Sequence, residues 1–106
     1  MSFDLDRTIA AALTAKGSGR LSFVRMLQLL ETGRERDLPL SAIDATGEAG
    51  RIPRTECGFY VDLNELEDAG EDRATMAQKS NGWALDHYRS GKVDVGGAEF
   101  EVWFRP

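Results

Sequence analysis

Lys92-Val93-Asp94-Val95-Gly96-Gly97-Ala98-Glu99-Phe100-Glu101-Val102-Trp103-Phe104 decides the fold class. Val93, Val95, Ala98, Phe100, Val102 and Phe104 alternate with polar or aromatic residues around Gly96-Gly97, the pattern of a β-hairpin with a two-residue turn. In that register Val95 faces Ala98, Val93 faces Phe100 and Lys92 faces Glu101, so the apolar side chains share one face. The same register sets Asp94 against Glu99, an unfavourable like-charge pair. Trp103 falls on the outer face with Asp94, Glu99 and Glu101.

Gly91 separates this hairpin from a helical stretch over 72–90. Ala74, Ala77, Asn81, Ala84, Leu85 and Tyr88 form one stripe, and Met76, Ser80, Trp83 and His87 a second. Asn81-Gly82 interrupts both, which predicts a break with Ser80 capping a second segment. Trp83 is expected in the core. Upstream, Phe59, Val61 and Leu63 alternate with Tyr60 and Asp62 and predict a strand over 58–63. Asp62 and Glu65 equally suit the start of a short helical turn through Leu66, ended by Gly70.

The N-terminal part reads as helical. Leu5, Ile9, Ala12 and Leu13 make one stripe of a helix over 4–16, capped by Ser2 or Asp4. Ser22 caps a second helix over 23–32, with Leu21 and Met26 as a hydrophobic staple and Gly33 as the stop. The brief Gly17-Ser18-Gly19 connection predicts an antiparallel helix pair. Ser41-Ala42-Ile43-Asp44 after Pro39 fits a capping box and one helical turn, and residues 46–56 read as a loop. The expectation is an α+β fold in one domain over 1–106: a helical part over about 1–46, a loop over 47–56 and a mixed part over 57–106. Its helical half packs on a small antiparallel sheet ending in the C-terminal hairpin.

Composition narrows the function classes. Hydrophobic residues make up 42% and charged residues 29% of the 106, an ordinary globular balance. Cys57 is the single cysteine, so no disulfide forms within the chain, and a cytoplasmic setting is expected. No apolar run approaches a membrane span, and the opening residues lack the basic n-region of a signal peptide. The net charge of −5 lies wholly in the second half: residues 61–106 carry ten Asp/Glu against five Lys/Arg, whereas residues 1–60 balance at eight each. That half disfavours direct binding to nucleic-acid phosphates and would attract a basic surface on a protein partner.

No constellation for catalysis, metal or cofactor binding emerges, and none is expected. One histidine and one cysteine cannot build a zinc site without carboxylates. The run Asp62, Glu65, Glu67, Asp68, Glu71 and Asp72 lacks the ligand alternation of a calcium loop. Cys57 and His87 could form a nucleophilic dyad only if the fold joined them and oriented the imidazole through Asp86 or Asn81. Gly17-Ser18-Gly19-Arg20 lacks the lysine and preceding strand of a phosphate loop. A helix-turn-helix over 22–46 would place Pro39 inside its recognition helix.

The expected function is therefore that of a small acidic, non-enzymatic binding protein, an inhibitor or adaptor of a macromolecular partner with a basic surface. Small acidic inhibitors carried by phages and mobile elements, anti-CRISPR proteins among them, share this profile, although no motif carries that label. The partner-binding candidates are Glu67, Asp68, Glu71, Asp72, Glu99, Glu101 and Trp103, with Trp103 as a potential anchor. One alternative is an enzyme or ligand-binding protein using His87 with nearby carboxylates. Another is a nucleic-acid-binding module using Arg20, Arg25, Arg34, Arg36, Arg51 and Arg54. A pocket containing His87, a contiguous arginine face or an exposed acidic–aromatic patch would discriminate among the three.

Overall fold

Asp4, Ser22, Asp62 and Asp72 each accept a hydrogen bond from the backbone N–H three residues on, and each opens a helix. The computed structural model describes residues 3–48 and 50–106. The helices are α1 (Leu5–Ala12), α2 (Phe23–Glu35), α3 (Leu63–Asp68) and α4 (Arg73–Arg89). The strands are β1 (Leu40–Gly47), β2 (Ile52–Pro53), β3 (Phe59–Tyr60) and β4 (Glu99–Phe104). Ser2, the other candidate cap of α1, lies outside the described residues. The fold is α+β with one small antiparallel sheet, as expected.

The sheet is assembled differently from the hairpin expectation. The turn forms, with the Ala98 N–H donating to the Val95 carbonyl at 3.0 Å, but Val93 and Val95 are not a strand. Both edges of β4 are already occupied. β1 pairs along one edge, from Leu40 opposite Phe104 to Thr46 opposite Glu99. The interhelix segment takes the other: Leu21 exchanges two backbone bonds with Phe100, and Ser18 bonds both the N–H and the carbonyl of Val102. Val93 and Val95 pack onto the core instead, and the Asp94 and Gly96 carbonyls accept from the Arg54 guanidinium at 3.0 Å each. The expected Asp94–Glu99 clash is therefore replaced by another like-charge neighbour pair, Asp44 opposite Glu101.

β1 occupies the stretch read as a helical turn at 41–44. A bulge between Leu40 and Ala42 breaks the alternation that would mark a strand. It lets Leu40 and Ile43, three residues apart, both point inward, a spacing that mimics a helix. β2 and β3 pair with β1 at Thr46–Gly47 and Ala42–Ile43, leaving β1 central. The expected loop over 46–56 thus holds the end of β1, all of β2 and the start of a 3-10 turn over Thr55–Cys57. The expected strand over 58–63 stops at Tyr60, and Asp62 caps α3, the alternative helical reading.

α2 and α4 pack on each other and on β4 and β1. Met26, Leu29, Leu30, Leu40, Ile43, Leu85, Phe100 and Val102 are fully buried between these layers. α1 is shorter than 4–16 and rests on β4. α2 runs past Gly33 to Glu35. α4 is unbroken across Asn81-Gly82, and Ser80 and Asn81 turn into the interior, where both are hydrogen-bonded. The Ser80 hydroxyl accepts from the Leu40 N–H at 2.9 Å, and the Asn81 amide donates to the Leu38 carbonyl at 2.8 Å. Two buried polar side chains thus hold the α2–β1 connection to α4, and Ser80 satisfies the buried Leu40 N–H.

Candidate functional site

Three short pieces of chain build a groove at the end of the sheet. Val61 leaves β3 with its N–H donating to the Ser41 carbonyl at 3.1 Å. Asp62 then turns the chain into α3 by accepting from the Glu65 N–H at 3.2 Å. Gly70, at φ +86°, lets the chain reverse after α3, and Asp72 starts α4. α4 presents Lys79 and Trp83, one turn apart, back toward β3 and α3. The groove's volume is about 350 Å³. Phe59, Tyr60, Val61 and Asp62 line one side, Glu65, Leu66 and Ala69 come from α3 and its end, and Glu71, Lys79 and Trp83 complete it.

Large aromatic surface is open here. Trp83 is 47% exposed and Tyr60 63% exposed, among the few large apolar side chains of the described residues left so accessible. The lining carries three carboxylates against one ammonium, and that ammonium, Lys79, is ion-paired to Glu71. The Glu65 carboxylate has no ion-pair or hydrogen-bond partner among the described residues. The Tyr60 hydroxyl donates to Asp44, and that bond raises its pKa.

The seven residues singled out from sequence do not converge. Glu71 lines the groove, Glu67 pairs with Arg105, and Asp72 caps α4 through Thr75, whose bonds lower its pKa. Asp68 is exposed at the end of α3. Glu99, Glu101 and Trp103 lie on the outer face of β4, opposite Thr46, Asp44 and Ala42. Trp103 is not a free anchor: its indole N–H donates to the Ala15 carbonyl at 3.1 Å, and its ring covers Gly17 so closely that a Cβ there would meet it at 2.6 Å. Trp83, expected in the core, is the exposed tryptophan.

His87 and Cys57 have separate surroundings. The imidazole packs on Phe59 with ring centres 5.2 Å apart, and its Nε2 is buried without a hydrogen-bond partner among the described residues. The Cys57 thiol is buried and donates to the Asp94 carbonyl at 3.1 Å, and burial pushes its pKa up. Cys57 should therefore resist 5,5′-dithiobis(2-nitrobenzoate) in the native protein and react as one thiol per chain only in denaturant. Rapid native reaction, followed at 412 nm (roughly the absorbance of the released thiolate), would contradict a buried protonated thiol.

No group of three or more His, Cys, Asp or Glu side chains among the described residues is disposed to hold a metal ion. Among the described residues no helix is long and apolar enough to cross a membrane. The N-terminal arginines are drawn to different elements: Arg20 approaches Glu99 at 4.0 Å, Arg36 pairs with Asp6 and Arg54 with Glu56. Arg25 lies over the Phe3 ring, 4.4 Å from its centre. No protein family, curated protein or solved structure matches the chain.

Proposed function

We propose that this chain is a small non-enzymatic binding protein, an inhibitor or adaptor that docks a basic surface of a protein partner. The observation that carries the reading is the groove beside β3, where exposed Tyr60 and Trp83 stand among Asp62, Glu65 and Glu71. Exposed aromatics with apolar bodies are the usual anchors of protein interfaces, and surrounding like charge steers a partner of opposite sign. The charge asymmetry of the sequence supports the same reading, since residues 62–72, which span α3 with its cap and the turn into α4, hold six of the ten acids of residues 61–106.

The test uses charges that the fold does not need. Glu67, Glu71 and Asp72 serve ion pairs or a helix cap, so neutralising them would mix folding with binding. Glu65 and Asp68 have no such duties among the described residues. The full chain is used as bait, and the partner it captures is then studied kinetically. The double variant Glu65→Gln/Asp68→Asn should associate about three- to tenfold more slowly at low salt, with a flatter salt dependence. An unchanged on-rate and salt slope would reduce the acidic surface to a solubility feature and remove the basis for this reading.

A further inference from the structure

We infer that the groove receives an arginine side chain from a basic segment of the partner; this rests on the reading above and deepens it. The floor fits the stem of such a side chain. Phe59, Val61 and Leu66 are half-buried apolar residues lining the cavity, able to cover methylene groups while the charged head stays near solvent. Its aromatic faces fit the head. Trp83 and Tyr60 are about half or more exposed, and a guanidinium stacks on an indole or phenol face through both its charge and its planarity.

The carboxylates distinguish arginine from lysine. This chain already sends its own lysine into the groove, where the Lys79 ammonium is held by Glu71. An incoming ammonium would be a second point charge beside it, and strongly hydrated. A guanidinium has five N–H donors in one plane and can reach the unused Glu65 carboxylate while lying on an aromatic ring. Asp62 has one carboxylate oxygen engaged by the Glu65 N–H, which leaves its charge facing the same cavity.

The experiment titrates the ¹⁵N-labelled full chain with capped hexa-arginine and, separately, capped hexalysine, at equal peptide charge. The two indole N–H signals are the reporters: Trp83 lines the groove, whereas Trp103 is outside its lining, with its indole N–H held by the Ala15 carbonyl. Hexa-arginine should bind at least about fivefold tighter than hexalysine and move the Trp83 signal, leaving Trp103 in place. Trp83→Ala should weaken hexa-arginine by about tenfold and Glu65→Gln by about threefold, while Trp83→Phe keeps most of the affinity. Retained signal dispersion in each variant checks the fold. If hexalysine binds as tightly as hexa-arginine and Trp83→Ala changes nothing, the arginine site is overturned but attraction to basic partners stands. If neither peptide binds even at low salt, the arginine site and the basic-partner reading both fall.

Discussion

Phe100→Ala should lower the unfolding free energy by about 3–5 kcal/mol, whereas Glu101→Ala beside it should change it by less than about 0.5 kcal/mol. Phe100 is fully buried, and its ring stands 5.9 Å from that of Phe23 and 5.7 Å from that of Tyr88. Truncation removes the transfer free energy of the ring and opens a cavity between β4, α2 and α4 that a tightly packed layer closes only in part. The backbone bonds of residue 100 to Leu21 survive the change, so the loss reports the side chain alone. Glu101 points to the other face, opposite Asp44. Its removal relieves a like-charge contact, which offsets the little packing that is lost. Denaturant melts with equal slopes would measure both changes. Equal losses would overturn the assignment of Phe100 to the inward face and Glu101 to the outward one.

The inward face of β4 is legible because Phe100, Val102 and Phe104 alternate with Glu99, Glu101 and Trp103, two of them charged. Its partner strand was not. A hairpin was the local solution, with Gly96-Gly97 as its turn, but strand pairing depends on which edge is free. The distant segments β1 and Ser18–Leu21 occupy those edges, and short-range pattern carries no record of them. β1 was hidden further by its composition. Ala42, Asp44 and Ala45 are poor strand formers in isolation, and the bulge after Leu40 destroys the alternation. In α4, Asn81-Gly82 carried the cost of a helix break, but not the reason it is tolerated: the Asn81 amide bonds Leu38 and Ala77 in the interior.

The candidate site was legible in charge and not in place. The acids after residue 61 were evident, and one of those singled out, Glu71, does line the groove. Sequence pattern points to Trp103 as the exposed aromatic, but the exposed one is Trp83. Trp103 alternates out of the core but is then covered by the Gly17 turn, a tertiary contact. Trp83 shares a helical stripe with buried Met76 and Ser80, yet sits at the edge of that face, where β3 and α3 leave the cavity open. Helical spacing alone does not separate a stripe's centre from its margin. The i, i+4 pair Lys79–Trp83 next to an acidic turn was the available signal.

Gly33→Ala and Gly82→Ala, the same change in two helices, should move stability in opposite directions. Alanine is favoured over glycine in a helix interior by about 0.8–1 kcal/mol. Gly82 lies in α4 with room to spare, since a Cβ there meets only the Arg34 Nη1 at 4.0 Å. Gly82→Ala should therefore gain close to that full amount, about 1 kcal/mol. Gly33 lies in α2 under the ring of Phe104, and a Cβ there would stand 2.7 Å from Cε1, 2.9 Å from Cζ and 3.1 Å from the Asn81 Oδ1. Phe104 is itself buried, so its ring cannot swing into solvent. Overpacking of this kind costs about 1–3 kcal/mol, which outweighs the gain in helix propensity. Gly33→Ala should lose about 1–2 kcal/mol net, and Gly33→Val about 2–3 kcal/mol, at the upper end of that range. In thermal melts each kcal/mol moves the midpoint by roughly 4–8 °C for a chain near this size, so the two alanine variants should separate clearly on either side of the parent. A stabilised Gly33→Ala would mean that the Phe104 ring yields to a methyl group, and that α2 approaches β4 less closely than the glycine implies.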